Sequence, residues 1–367
     1  MLASELMLFP DGPLRPGWVR IEGGVLTEVA ESAPPAEADA VEGILAPGFV
    51  DVHCHGGAGA AFDDGPEAAE TARQVHLAHG TTTMLASLVS DDPDRLLNTV
   101  QALVPLVHDG RFAGVHLEGP WLSPQRAGAH DPDLLSAPGA RELEMLLATG
   151  VVEMVTLAPE LPGGIEAIRR IADAGAVPAV GHTDATYEQT REALAAGARA
   201  ATHLFNGMRG LQHREPGPAA AMMEDGEALL ELIADGVHVH PAMLSWVHRS
   251  APGRCLLITD AMSATGGCDG DYRLGRLDVR VEGGVPRLVD TGSIAGSTLT
   301  MDRAVRVAVT EAGFSREDAL RAASAVPAAL LRRQDVGQLT RGARADLIVL
   351  DHQLQVNRVL RAGTEVS

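Results

Sequence analysis

The chain has 367 residues, and 46% of them are hydrophobic, which is enough for a large core in one or a few domains. It carries 29 basic against 49 acidic residues and has no basic cluster, so nucleic acid and membrane surfaces are not expected as partners. All of the basic residues are arginines. This excludes a lysine Schiff base, a P-loop lysine and a carbamylated lysine that bridges two metal ions.

The cysteines and the N-terminus indicate the cellular compartment. Cys54, Cys255 and Cys268 are too few and too widely spaced for a disulfide framework, which favours a reducing environment. The N-terminal residues lack the basic and apolar segments of a signal peptide, and no apolar run is long enough to span a bilayer. We therefore expect a cytoplasmic protein.

Both ends of the chain are predicted to form short β-strands. Residues 18–22 and 25–29 alternate apolar and polar side chains on either side of a glycine pair, as in a β-hairpin. Residues 343–351 return to a strand pattern near the other end of the chain. We expect residues 1–47 and 333–367 to pair in one small β-sandwich domain.

Residues 48–332 alternate apolar runs with helical segments and are expected to form the catalytic domain. The apolar runs begin near Gly48, Thr81, Phe112, Val152, Val177, Ala200, Leu229 and Cys255. Eight strand–helix units match an α/β fold of the (β/α)8 TIM-like barrel type better than a doubly wound sheet. A β-hairpin insert is expected near 271–291, followed by helices near 301–312 and 315–331.

Ionisable side chains follow most of the predicted barrel strands, at the end where such barrels carry their chemistry. These residues are His53, His55, Glu118, His182, His203, His238 and Asp260. Buried ionisable groups are costly unless they are paired or bind a metal ion. The sequence therefore predicts a metal site at the carboxyl end of the barrel.

His53 and His55 lie at the end of the first predicted barrel strand. Residues two apart in a strand point to the same side, so both imidazoles can reach one ion while Cys54 points away. By itself, such a pair is also compatible with a strand end that binds no ion. The polar ends of the other strands favour the metal site.

The order of the motifs resembles the amidohydrolase superfamily and, within it, the N-acetylglucosamine-6-phosphate deacetylase family. The resemblance is carried by His-Leu-Glu-Gly-Pro at 116–120, Gly-His-Thr-Asp-Ala at 181–185, Thr-His-Leu-Phe-Asn-Gly-Met at 202–208, Arg-Glu-Pro-Gly at 214–217, Asp-Gly-Val-His-Val at 235–239, Thr-Asp-Ala at 259–261 and Ala-Gly-Ser-Thr-Leu-Thr-Met at 295–301. It covers nearly the whole chain.

The resemblance implies hydrolysis of N-acetyl-D-glucosamine 6-phosphate to D-glucosamine 6-phosphate and acetate, in amino-sugar catabolism and cell-wall recycling. Two alternatives share the fold: deacetylation of another N-acetylated amino sugar or amino acid, and deamination. A third is a non-enzymatic scaffold that has lost catalysis.

The resemblance also implies the metal ligands. Glu118, His182 and His203 correspond to the principal site, and Glu118 takes the place of a carbamylated lysine. His53 and His55 would add a second ion that is shared through Glu118, so one or two ions per chain are expected. Zn²⁺ is favoured, and Fe²⁺ remains open because these ligand types suit both.

The remaining roles are likewise implied by the resemblance. Asp260 corresponds to the general base and acid. Substrate contacts are expected from Gly119, His130, Asn206, Gly207, Arg214, His238, Ile294, Ala295 and Gly296. Arg214 and His238 would bind the phosphate, with Arg214 reaching the neighbouring active site of a homodimer.

Overall fold

The structure is a computed structural model that describes residues 1–366. Within these residues, eight parallel strands pair in sequence order into one sheet. The strands are Phe49–Asp51, Thr81–Leu88, Gly114–Glu118, Val152–Leu157, Val177–Val180, Ala200–Ala201, Leu229–Ile233 and Cys255–Ile258. The Asp260 amide donates to the His53 carbonyl at 2.9 Å, and the His55 amide donates to the Ala261 carbonyl at 2.7 Å, which links the two edge strands. The predicted barrel is confirmed.

The helices lie outside the sheet and bury apolar side chains against it. Their bounds are Pro66–Ala78, Pro93–His108, Ala140–Leu147, Gly164–Asp173, Tyr187–Ala196, Gly217–Glu224, Pro241–Ser250, Met301–Thr310, Arg316–Ala322 and Ala325–Leu330, with 3-10 turns at Phe62–Asp64, Pro124–Arg126 and Pro132–Leu134. Several begin with proline, which suits the first turn because its missing N–H would have no partner there. None of the helices within residues 1–366 combines the length and the apolar character that a transmembrane span requires.

One helix prediction was wrong. The segment 315–331 forms two short helices that are interrupted at Ser324, where the backbone leaves the helical region. Pro327 has no N–H to donate to the carbonyl four residues earlier, so a continuous helix would lose a hydrogen bond there. The Ser324 hydroxyl donates to the Leu320 carbonyl at 2.6 Å and closes the first of the two helices.

The two chain ends pair with each other, as predicted, and together they form one mixed sheet. Its strands are Leu2–Met7, Arg15–Glu22, Val25–Ala30, Asp39–Ala40, Ile44–Pro47, Leu347–Leu350, Val356–Arg361 and Thr364–Glu365. The strand Leu347–Leu350 runs antiparallel to Ile44–Pro47 and joins the two ends. Val19, Leu26 and Leu45 are buried in a separate core of this sheet. The exact domain boundaries, 1–47 with 333–367 and 48–332, stay a prediction.

The insert after the last barrel strand is larger than the predicted hairpin. It is a three-stranded antiparallel sheet formed by Gly270–Leu274, Leu277–Glu282 and Val285–Leu288. Its apolar side chains share a small core with Met262 and Ala295. The insert therefore holds the segment around Ala295 next to the end of the last barrel strand. A short hairpin, Gly56–Gly57 with Ala60–Ala61, follows the first barrel strand.

Candidate metal centre and active site

Glu118 lies at the centre of the polar cluster, at the end of the third barrel strand. Its Oε1 lies 2.9 Å from His203 Nε2 and 3.1 Å from His182 Nε2. We call these three residues site 1. All three are buried although all are polar. Their strands therefore bring together three of the residues that the sequence predicted as metal ligands.

The other oxygen of the same carboxylate faces the strand-one histidines. Glu118 Oε2 lies 3.1 Å from His55 Nε2 and 3.5 Å from His53 Nε2. Asp260 Oδ1 lies 3.4 Å and 3.5 Å from the same two nitrogens. We call His53, His55 and Glu118 site 2. The two sites share the Glu118 carboxylate.

The donor atoms of each site suit a bound ion. In each of the two sites they all lie within 4.8 Å of one another. Ligands about 3.3 Å apart are expected around a tetrahedral Zn²⁺ with bonds of about 2.0–2.1 Å. The observed separations of 2.9 to 3.5 Å are close to that value. Two imidazoles and one carboxylate at site 1 also leave a fourth position open for substrate or water.

Three site residues adopt an unusual backbone conformation. His182, His203 and Asp260 have φ angles of 45°, 27° and 48°, in the left-handed region that side chains with a Cβ avoid. Strain of this kind persists where surrounding contacts enforce it, and it concentrates at functional sites. Here it turns the three side chains inward where their strands end.

Hydrogen bonds fix the orientation of one imidazole in each site. At site 1, His182 Nδ1 donates to the Arg126 carbonyl at 2.8 Å. At site 2, His53 Nδ1 donates to Glu231 Oε2 at 3.0 Å. A proton held on Nδ1 leaves the Nε2 lone pair free for a metal ion. Both Nε2 atoms point toward Glu118.

The ring of His116 supports His53 from the barrel interior. The two ring centroids are 4.6 Å apart and the rings are nearly perpendicular. Hydrogen bonds link His116 to Ser87 Oγ at 2.9 Å and to Thr156 Oγ1 at 2.8 Å. Burial holds the pKa of His116 well below its usual range, so this ring is neutral. His116 packs against His53 and supports its orientation, and it brings no charge to the site.

The electrostatics of the cluster favour a bound cation. Burial disfavours the charged form of Asp260, but the hydrogen bond to His55 and the charge of His53 outweigh burial and lower its pKa to about 2. Burial also disfavours charged His55, yet hydrogen bonds to Asp260 and Glu118 raise its pKa to about 9. The carboxylates thus stay ionised and attract positive charge, which a divalent ion supplies as readily as protonated imidazole.

Two further histidines border the cluster. His130 Nε2 lies 3.4 Å from Glu118 Oε2, and burial lowers the pKa of His130 to about 4, so it is a neutral hydrogen-bond donor. His238 Nδ1 donates to Asp235 Oδ2 at 2.7 Å. Burial opposes the charge on His238, but the hydrogen bond to Asp235 outweighs it and raises the pKa of His238. His238 therefore favours an anionic ligand.

Glycines let loops approach the site closely. Gly207 has φ 58°, and a Cβ there would lie 2.9 Å from His182 Nδ1. Gly119 has φ 84°, and a Cβ there would lie 2.3 Å from Ser90 Oγ. Gly296 lies beside the Asp260 carbonyl, next to buried Ala295 and half-buried Ile294. These residues surround the metal centre, and their predicted contacts with a substrate stay a prediction.

Two predicted substrate residues are not directed at the centre. Asn206 Nδ2 donates to the His203 carbonyl at 3.2 Å and to the Leu204 carbonyl at 3.4 Å, so its amide lies against its own loop. Arg214 is exposed, and its side chain makes no hydrogen bond or ion pair within residues 1–366. Within a single chain, therefore, no hydrogen bond or ion pair of the described residues connects Arg214 to the other predicted site residues.

A third group of possible ligands has other partners. Asp51, Cys54 and His76 also lie close together and are buried. Asp51 accepts from the His53 amide at 3.2 Å and from the Thr259 hydroxyl at 2.5 Å. His76 Nε2 lies 2.9 Å from the Gly56 carbonyl. Hydrogen bonds account for this cluster without a metal ion, and Cys54 faces away from its flanking histidines as the sequence predicted.

The sequence analysis assigned no role to three groups that support the site. Glu231 contacts His53, Asp235 contacts His238, and the Arg126 carbonyl contacts His182. Glu231 had a signal, since it is the only polar side chain in the strand Leu229–Ile233. The Arg126 contact had none, because every residue has a main-chain carbonyl.

The barrel and its buried histidine–carboxylate centre define a member of the amidohydrolase family. The chain belongs to this family, whose model matches residues 44–366. Within the family, the chain is similar to N-acetylhexosamine-6-phosphate deacetylases, which confirms the resemblance of its motifs.

The solved structures include the N-acetyl-D-glucosamine-6-phosphate deacetylase of Mycobacterium smegmatis. It is 47% identical to this chain with a TM-score of 0.96, and the match covers 100% of this chain and 99% of that one. A mutant of that enzyme in complex with N-acetyl-D-glucosamine-6-phosphate gives the same identity and TM-score, with 99% and 98% covered. Among curated proteins, the N-acetylgalactosamine-6-phosphate deacetylase of Escherichia coli O157:H7 is 37% identical over 99% of this chain and 98% of that protein.

Proposed function

We propose that the protein is a metal-dependent amide hydrolase that converts N-acetyl-D-glucosamine 6-phosphate to D-glucosamine 6-phosphate and acetate. The observation that carries the proposal is the Glu118 carboxylate, whose two oxygens face four imidazoles with Asp260 beside them. The similarity to deacetylases over the full length of the chain supports the same conclusion.

Glu118, His182 and His203 would hold the principal ion, and His53 and His55 with Glu118 would hold a second. We propose Zn²⁺, with Fe²⁺ as the alternative, because imidazole and carboxylate ligands suit both. When bound, such an ion polarises the amide carbonyl and lowers the pKa of water toward neutrality.

Asp260 is proposed as the general base and then the general acid. Its lowered pKa keeps the carboxylate ionised, so it can accept a proton from the attacking water. The same carboxyl group then donates this proton to the nitrogen of the departing amine. His130, a neutral donor, would orient the carbonyl of the acetyl group. Gly119, Ile294, Ala295 and Gly296 would line the space for the sugar and the acetyl group.

The phosphate is proposed to bind between His238, Asn206, Gly207 and Arg214. Arginine suits phosphate because its planar fork donates two parallel hydrogen bonds. Arg214 is exposed on its own subunit, and we propose that it completes the active site of a partner in a homodimer. A protein with net charge -20 needs such local cations to attract an anionic substrate.

Subunit complementation tests the shared site. We expect Arg214→Ala and Asp260→Asn dimers to be nearly inactive separately. After subunit exchange, an equimolar mixture should recover about a quarter of the wild-type rate, since about half of the dimers are mixed and each of these has one complete site out of two. No recovery in mixtures that have exchanged subunits would contradict the contribution of Arg214 in trans.

The test of the proposed reaction is acetate release. We expect release from N-acetyl-D-glucosamine 6-phosphate, loss of activity with a chelator, and recovery when Zn²⁺ is added. Unphosphorylated N-acetyl-D-glucosamine should be a much poorer substrate. Equal turnover of both sugars would contradict a phosphate-selective enzyme.

A second candidate substrate is N-acetyl-D-galactosamine 6-phosphate, which differs only in the configuration at C4. The observation that favours it is the match to the E. coli protein that bears this name. Comparing kcat/KM for the two epimers decides between them. With either substrate, we propose a role in amino-sugar catabolism and cell-wall recycling in the cytoplasm, where the free cysteines Cys54, Cys255 and Cys268 stay reduced.

A further inference from the structure

Glu231 is a buried carboxylate with no role in the proposed reaction. It lies in the seventh barrel strand, Leu229–Ile233, and its exposure is 0%. Within residues 1–366, its one ion-pair partner is His53, at 3.0 Å, and no arginine pairs with it. A buried carboxylate without a fixed cation is costly, so this position requires a physical reason.

Both hydrogen bonds of the Glu231 side chain go to metal-site residues. Its Oε2 accepts the Nδ1 proton of His53 at 3.0 Å and the main-chain amide of His203 at 3.0 Å. The first bond fixes the His53 tautomer and turns its Nε2 lone pair toward site 2. His53 Nε2 lies 3.5 Å from both Glu118 Oε2 and Asp260 Oδ1. The second bond anchors the backbone of a site 1 residue and leaves its imidazole free.

The two sites therefore depend on Glu231 unequally. At site 1, the imidazole of His182 is oriented by the Arg126 carbonyl, which no side-chain substitution removes. At site 2, the hydrogen bond that His53 Nδ1 donates within residues 1–366 goes to a side chain, that of Glu231. A carboxylate that accepts from a ligating histidine also makes that imidazole a stronger ligand.

We propose that Glu231 is a positioning residue that determines whether the chain holds a second metal ion at site 2. The inference rests on the proposed function only in taking sites 1 and 2 as metal sites. It assigns to Glu231 no contact with the substrate. It predicts that a change at Glu231 alters the number of ions bound rather than the identity of the reaction.

The test measures metal ions per chain in three variants. Glu231→Leu removes the acceptor, Glu231→Gln keeps an acceptor oxygen without the charge, and Glu153→Gln is the matched control. Glu153 is a half-buried strand glutamate that packs beside Gly114, at the end of the third barrel strand opposite to Glu118. Each protein is loaded with Zn²⁺, passed through gel filtration and analysed by plasma mass spectrometry, with thermal unfolding as a check on folding.

We expect two ions in the wild-type protein and in Glu153→Gln, and one in Glu231→Leu. In Glu231→Gln, competition with a chromophoric chelator should show the second ion bound about 10- to 100-fold more weakly and the first ion unchanged. This second variant decides the matter if Glu231→Leu fails to fold.

Three results would overturn the inference. They are two ions of unchanged affinity in both Glu231 variants, equal weakening of both ions in Glu231→Gln, and a single ion in the wild-type protein. Acetate release distinguishes these failures from a failure of the proposed function, because a deacetylase with one ion at site 1 would still be active.

Discussion

Site 1 and site 2 share Glu118 but are built in different ways. Both histidines of site 1, His182 and His203, have left-handed backbone conformations, and a loop carbonyl orients the first of them. The histidines of site 2, His53 and His55, follow an ordinary strand, and the Glu231 side chain orients His53. Site 1 therefore depends on backbone geometry, whereas site 2 depends on side-chain chemistry. Single substitutions should remove site 2 more easily than site 1.

The largest losses of activity are expected from changes at Asp260 and at the site 1 ligands. Asp260 is the proposed general base and lies beside the histidines of site 2. Asp260→Asn keeps the shape of the side chain but cannot accept the proton of water. We expect kcat to fall by about 10²- to 10⁴-fold, the usual contribution of a general acid–base group. Metal content should be unchanged, because the histidines and Glu118 are intact. Retention of most activity would show that Asp260 is only a structural neighbour of His55.

Paired alanine variants compare the two sites directly. His182→Ala removes a site 1 ligand and should abolish activity together with the principal ion. His55→Ala removes a site 2 ligand and should keep more than about a tenth of the wild-type kcat, since one Lewis-acidic ion remains. Metal analysis and steady-state kinetics on both variants make the comparison. Equal loss in the two variants would mean that the sites act only as a unit.

Asp235→Asn tests the charge on His238. The hydrogen bond to Asp235 raises the pKa of His238, so the imidazole stays protonated to higher pH and can bind phosphate there. Without the carboxylate, burial lowers this pKa and the charge is lost at lower pH. We expect the rise of KM with pH to begin at lower pH in the variant, with kcat little changed. An identical KM profile would argue against a phosphate role for His238.

The sequence predicted those parts of the centre that an unusual residue type marks at a strand end. His53, His55, Glu118, His182 and His203 could be recognised because polar residues at the ends of apolar strands are unusual. Glu231 escaped notice because one carboxylate within an apolar strand looks like a solvent-facing residue until the barrel closes around it.

Other contacts left no trace in the sequence. The Arg126 carbonyl has no residue-type signal, unlike the helix break at Ser324, which Pro327 marks in the sequence. The proposed role of Arg214 rests on a second subunit, which the pattern of one chain does not contain.

The smallest expected effect tests the loop geometry of site 1. Gly207→Ala adds a methyl group to a residue whose backbone is left-handed. The added carbon would lie 2.9 Å from His182 Nδ1. Gly226→Ala is the matched control, because its φ is 89° but nothing lies within 4 Å. Both should lower the free energy of unfolding by about 1–2 kcal/mol. Only Gly207→Ala should also weaken binding of the site 1 ion, as measured by chelator competition. Equal metal affinity in the two variants would show that the close approach of Gly207 to His182 does not matter for site 1.

Acetate release by the purified protein from the two N-acetylhexosamine 6-phosphates tests the proposed metal-dependent deacetylation most simply. We expect turnover of at least one of them, abolished by a chelator, restored by Zn²⁺ and lost in Asp260→Asn. Absence of acetate release from both sugars by fully metal-loaded protein would contradict it.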